Sequence, residues 1–73
     1  MSALPSMNYR TVTGHLRRHG FIFDRNAKGS HEIWFHPVSR LRTTVPHHPG
    51  DIPRGTLRAI IRQSGLSVDE FLK

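Results

Sequence analysis

The sequence predicts an α+β fold, a two-layer sandwich in which a three-stranded antiparallel sheet carries helices on one face. Three observations predict it. Apolar residues recur at three- and four-residue spacing near both ends of the chain, they switch to period two in the middle, and Gly, Pro, Asn and Ser clusters separate the segments. The resulting order is helix, strand, strand, strand, helix (α-β-β-β-α). With 73 residues the chain has room for one domain around one small core.

Met1 to Met7 has no periodicity and includes Pro5, so residues 1–7 are expected to form a flexible tail ahead of a domain over residues 8–73. Asn8 or Thr11 can cap the first helix, where Val12 and Leu16, with His15 and His19, share a face while Arg10, Arg17 and Arg18 take others. Gly14 weakens that helix by about 1 kcal/mol relative to alanine. Gly20 ends it as a left-handed cap. Phe21 to Arg25 then alternates, with Phe21 and Phe23 on one side, and reads as a first strand. Asn26-Ala27-Lys28-Gly29 turns the chain into a second strand that starts at Ser30-His31 and stops before Pro37. Leu41 to Val45 is β-branched enough for a third strand, closed by Pro46, which cannot donate to a ladder.

His47-His48-Pro49-Gly50-Asp51 can only be a loop. Pro53 suits the first turn of a helix that runs to about Ser64, with Leu57, Ile60 and Ile61 buried and Arg54, Arg58 and Arg62 recurring along another face. Ser67-Val68-Asp69-Glu70 matches a capping box and starts a last helical turn docked through Phe71 and Leu72.

Composition narrows the function classes. The chain has no cysteine, which excludes a disulfide, a thiolate metal site and a cysteine nucleophile. No apolar run approaches the roughly 20 residues of a membrane span, and the N-terminus lacks the apolar core of a secretory signal. A soluble, cytoplasmic protein with no membrane partner is expected. Eleven Lys and Arg against five Asp and Glu leave a charge of +6, carried mostly by arginine. Guanidinium groups bind phosphate bidentately and stack on bases, so nucleic acid is favoured over mere solubility as the reason for the charge.

The chemistry concentrates at Gly29-Ser30-His31. A flexible entry delivers an imidazole to the first rung of an apolar strand, and histidine both takes and gives a proton near neutral pH. Alternation puts His31 with Ile33 and Phe35 and turns Glu32, Trp34 and His36 the other way. If Ile33 and Phe35 face the helices, His31 reaches solvent only at the strand edge, unless a bulge near Gly29 reverses the sense. Trp34 is then a base-stacking platform on the open face or, as the favoured alternative, a hydrophobic cover or partner contact. His15 and His19 lie four apart on a helix, but no carboxylate completes a zinc set around them, and no metal or other cofactor is expected.

The element order resembles the double-stranded-RNA-binding fold. Closer still, Gly20-Phe21, Gly29-Ser30-His31, Val45-Pro46 with His48, Gly55-Thr56-Leu57-Arg58 and Gln63-Ser64-Gly65-Leu66, in that order from about Asn8 to Phe71, resemble the successive landmarks of the HicA toxin family. The resemblance implies a toxin of a type II toxin–antitoxin pair, an endoribonuclease that cleaves messenger RNA, arrests translation and is silenced by a HicB antitoxin. It also implies that the essential histidine is His31.

Metal-free RNA cleavage needs a base for the 2′-hydroxyl proton, and His31 is the candidate. Gly29 permits close approach of a phosphodiester, Ser30 offers a hydroxyl and an amide, and Lys28 is the nearest cation. His48 could return beside the second strand and act on the leaving group, or belong to a plain polar loop. Arg40, Arg42, Arg54, Arg58 and Arg62, with Gly29, are the expected RNA contacts. The rival readings are a non-catalytic RNA-binding module of the same fold and an interaction subunit for an acidic protein.

Overall fold

The computed structural model describes residues 3–73 and has the element order α1 (Tyr9–Arg18), β1 (Ile22–Asn26), β2 (His31–Phe35), β3 (Arg42–Pro46), α2 (Arg54–Gln63) and α3 (Val68–Leu72). The strands form one antiparallel sheet in the order β1-β2-β3. The α+β sandwich predicted from hydrophobic period is the fold. No helix among the described residues is long and apolar enough to cross a membrane.

Local signals set the helix ends. The Asn8 side chain accepts from the Thr11 amide at 2.9 Å and caps α1. Gly20, past the C-cap His19, has φ +90°, and a Cβ there would also stand 2.7 Å from the His36 ring. Only glycine satisfies both demands. At α3, Ser67 and Glu70 bond each other's backbone in the reciprocal pattern of a capping box.

One face of the sheet meets the helices. On β2 the buried residues are Glu32 and Trp34, whereas His31 is exposed and Ile33 and Phe35 only half-buried, so the helix layer covers the Glu32–Trp34 side. Trp34 is therefore neither a base-stacking platform nor a surface cover. It is a core residue 1% exposed, with the Arg17 guanidinium 4.9 Å from its ring centre. Val12 and Leu16 of α1, Leu57, Ile60 and Ile61 of α2, Phe71 of α3 and Val45 of β3 complete that core. Full burial of each such side chain contributes roughly 1.5–3 kcal/mol. α2 is tied to β3 where Gln63 Oε1 accepts from the Thr43 hydroxyl at 2.9 Å and the Thr44 amide at 3.2 Å.

The shared side of Phe21 and Phe23 is as expected, and the reading of residues 1–7 is corrected. Phe23 pairs with Trp34 and the Phe21 ring meets His36 at 5.1 Å, so both stand on the helix-facing side, but Phe21 is 2% exposed while Phe23, on the edge strand, is 45% exposed. A bulge follows Phe23, before Arg25, and only there does β1 depart from simple alternation. The flexible tail is not seen at Leu4 and Met7, which are buried in the core. Leu4 O accepts from Arg54, and Met7 O accepts from the Ile52 amide at 2.8 Å. Met1 and Ser2 lie outside the described residues.

Candidate functional site

The β1–β2 turn closes with the Ala27 amide donating to His31 O at 2.8 Å, and Gly29 takes φ +67° within it. His31 pairs with Pro46 on the last rung between β2 and β3. Pairing persists one step further, because the His47 amide donates to Ser30 O at 2.9 Å. That step swings the following loop back over the turn. His48 Nε2 lies 3.0 Å from the Ser30 hydroxyl, so Ser30, His31 and His48 stand together at one end of the sheet.

Here a cleft of about 490 Å³ opens between the sheet end and α2. His31, Thr44, Pro46 and His48 form one wall, and Pro53, Gly55, Thr56, Ala59 and Gln63 form the other. α2 begins there without a side-chain cap. Its first amides therefore point outward with the positive end of the helix dipole, an environment that favours an anion. His31 faces solvent on the open side of the sheet, away from the core, so no reversal of strand sense is needed to expose it.

Behind this cleft lies a polar network that periodicity and motifs did not disclose. Glu32, buried among the core residues, accepts through Oε1 from the Tyr9 hydroxyl at 2.8 Å and the Trp34 indole at 3.1 Å. Its Oε2 meets His47 Nδ1 at 3.1 Å. The His47 ring stacks on Tyr9, with centroids 3.8 Å apart and planes 11° from parallel. Burial and the bond to Glu32 together hold the Tyr9 phenol above its usual value of 10. The available signal was Glu32 alternating in phase with Trp34, since a carboxylate on a buried face needs donors.

The other expected site residues are dispersed. Lys28 lies exposed in the β1–β2 turn. Arg40 and Arg42 stack over Phe35, at 5.7 and 4.5 Å from its ring centre, on the open sheet face. The Phe35–Arg42 rung is four residues from the His31–Pro46 rung, about 13 Å along the strand. Arg54 donates through one N–H to the Leu4 carbonyl and is otherwise exposed. Arg58 and Arg62 are exposed, one residue behind the Ala59 and Gln63 positions that line the cleft, so they form the neighbouring ridge of α2.

His15 and His19 belong to a different environment. The His15 ring packs 5.0 Å from Phe71, and His15 Nδ1 and His19 Nε2 are buried without a hydrogen-bond partner. Burial, then the nearby Arg18 and His19, depress the His15 pKa below 6.5. Among the described residues no group of three or more His, Cys, Asp or Glu is placed to hold a metal ion.

No curated protein matches the chain significantly. A family model does, over residues 9–66, and its description is the HicA toxin of bacterial toxin-antitoxin. That span runs from the first residue of α1 past the end of α2 and includes the Gly29-Ser30-His31 turn, His48 and both walls of the cleft. The chain belongs to the HicA toxin family of bacterial toxin–antitoxin systems.

Proposed function

We propose that this toxin is a metal-independent endoribonuclease that cleaves messenger RNA in the cytoplasm and arrests translation, and that a HicB-like antitoxin restrains it. The observation that carries the reading is the cluster at the sheet end, where His31 and His48 line one cleft and Ser30 bonds His48. Transesterification of RNA needs two proton transfers on opposite sides of one phosphorus. His31, neutral, takes the proton of the ribose 2′-hydroxyl as that oxygen bonds to the adjacent phosphorus. His48, protonated, gives its proton to the 5′-oxygen as the P–O5′ bond breaks. The products are a 2′,3′-cyclic phosphate and a free 5′-hydroxyl.

Charge on the phosphorane oxygens is met by donors already in place, and preorganised donors of this kind commonly lower such a barrier more than any other effect. Ser30 and the first amides of α2, next to Gly55, are the nearest ones, and Gly29 leaves room for the phosphodiester. Lys28, Arg58 and Arg62 draw the polymer in, while Arg40 and Arg42 bind it further along the open sheet face. Arg54 gives one N–H to the Leu4 carbonyl and, being exposed, has further donors to offer a phosphate. An antitoxin that fills the cleft stops the reaction by denying both histidines access.

The test is induced expression of the chain and of its His31→Ala variant, with growth and transcript integrity followed, then cleavage by purified protein in EDTA. The parent should degrade transcripts with or without EDTA, and the variant should not. Equal cleavage by the two proteins refutes the assignment. RNA binding with no cleavage by the parent would establish the non-catalytic module instead.

A further inference from the structure

A second pocket, of about 410 Å³, adjoins the cleft and shares His48 with it. Tyr9 and Arg10 of α1 line it together with His47 and Gly50 of the loop after β3. We infer that this pocket is a nucleobase subsite, in which the base next to the scissile phosphate stacks on the open face of His47 and Arg10 takes the following phosphate. The inference rests on the reading of His31 and His48 as the cleaving pair, and extends it to how the strand is held.

The His47 ring has what a stacking platform requires. It is immobilised on three sides: Glu32 holds Nδ1 at 3.1 Å, Tyr9 backs the ring at 3.8 Å, and its own amide is bonded to Ser30 O. Yet 58% of its side chain is exposed. A ring needed only to shield the core would be covered. A ring fixed by others and left open loses little freedom when a base settles on it. The Glu32 carboxylate accepts, so Nδ1 carries the hydrogen and the ring keeps one orientation toward the pocket.

Arg10 is exposed on α1, and among the described residues it has no ion-pair partner. Because His48 is the shared wall, a strand whose phosphate sits between His31 and His48 must carry its neighbouring nucleotide into this pocket or out to solvent. Stacking on an aromatic face is tolerant of base identity, so the subsite gives hold and register more than sequence choice.

The experiment uses the full chain with His31→Ala, so that RNA is bound without being cut, and fluorescein-labelled single-stranded RNA read by anisotropy. Adding His47→Ala should weaken binding about 5- to 150-fold, the range for loss of one base–aromatic stack. His47→Phe keeps the ring and should restore most of it. Arg10→Ala, on an exposed position that folding does not require, should weaken binding and lower the salt dependence by about one phosphate contact. A single abasic ribose moved along the RNA should show one costly position in the His31→Ala chain, and that cost should vanish once His47 is alanine. Affinity unchanged by His47→Ala in a protein with native circular dichroism overturns the subsite, as does His47→Phe binding no better than alanine. Absence of any RNA binding by the His31→Ala chain overturns the ribonuclease reading itself.

Discussion

Two pairs of histidines sit in this domain, His47 with His48 beyond β3 and His15 with His19 along α1, and identical side chains meet opposite surroundings. Around His47 and His48 the rings have polar or aromatic partners and one side opens to a pocket: Glu32 and Tyr9 hold the first ring, and the Ser30 hydroxyl holds the second. Around His15 the main neighbour is Phe71, and His15 Nδ1 and His19 Nε2 face the interior without partners. Burial disfavours the charged form of His15, whereas His47 and His48 keep polar partners and a route to solvent. The environment, more than the residue type, decides what chemistry is open to a histidine.

Substitutions can break or sharpen this contrast. The largest expected effect is at His31 itself, which shares the cleft with His48. Alanine there should lower RNA cleavage about 10²- to 10⁴-fold while leaving the melting temperature close to the parent's, since the side chain lies outside the core. His48→Ala should cost about 10²-fold, and a substrate with an activated 5′ leaving group should recover most of that loss, because such a group departs without an acid. No recovery would show that His48 is not the acid. The same activated substrate should leave His31→Ala as slow as before.

Glu32→Ala comes next and acts on the partnered pair from beneath. It strands the Tyr9, Trp34 and His47 donors, at about 1–3 kcal/mol for each that stays buried, and should lower the urea midpoint, whereas Glu32→Gln keeps an acceptor and should lose less. Equal losses from the two would mean that side-chain volume matters at position 32 and hydrogen bonding does not.

The smallest effect tests the other pair. His15 has its folded-state pKa below the unfolded value near 6.5, so in the acid range the unfolded chain binds a proton that the folded chain resists. Its contribution to stability is complete above about pH 6.5 and is lost as the pH falls from there toward the lower folded value. His15→Phe removes the titration, so the drop in melting temperature from neutral to mildly acid pH should become shallower. A drop as steep as the parent's would place the acid sensitivity elsewhere.

Features confined to a few consecutive residues were legible in advance. The Asn8 cap, the Gly20 stop and the Ser67–Glu70 capping box each depend on atoms within four residues of one another, and each is where the sequence puts it. The Gly29-Ser30-His31 turn was legible for the same reason. Legibility ended where partners lie far apart along the chain. Leu4 and Met7 look like tail because what buries them comes from the other half of the molecule, as the Arg54 and Ile52 contacts show. The bulge between Phe23 and Arg25 escaped prediction because it changes strand phase without an obvious mark in the letters.

Periodicity, capping residues and turn residues were enough by themselves to determine the number and order of the main elements, because each arises from short-range sterics and hydrogen bonding. Which face of the sheet became the interior was decided only when the helices docked, and with it the burial of Trp34 and the exposure of His31. Tertiary structure also gathered Tyr9, Glu32, Trp34 and His47 into one network. The physical reason is that a buried carboxylate must find its donors in space, and the nearest donors in space are not the nearest in sequence.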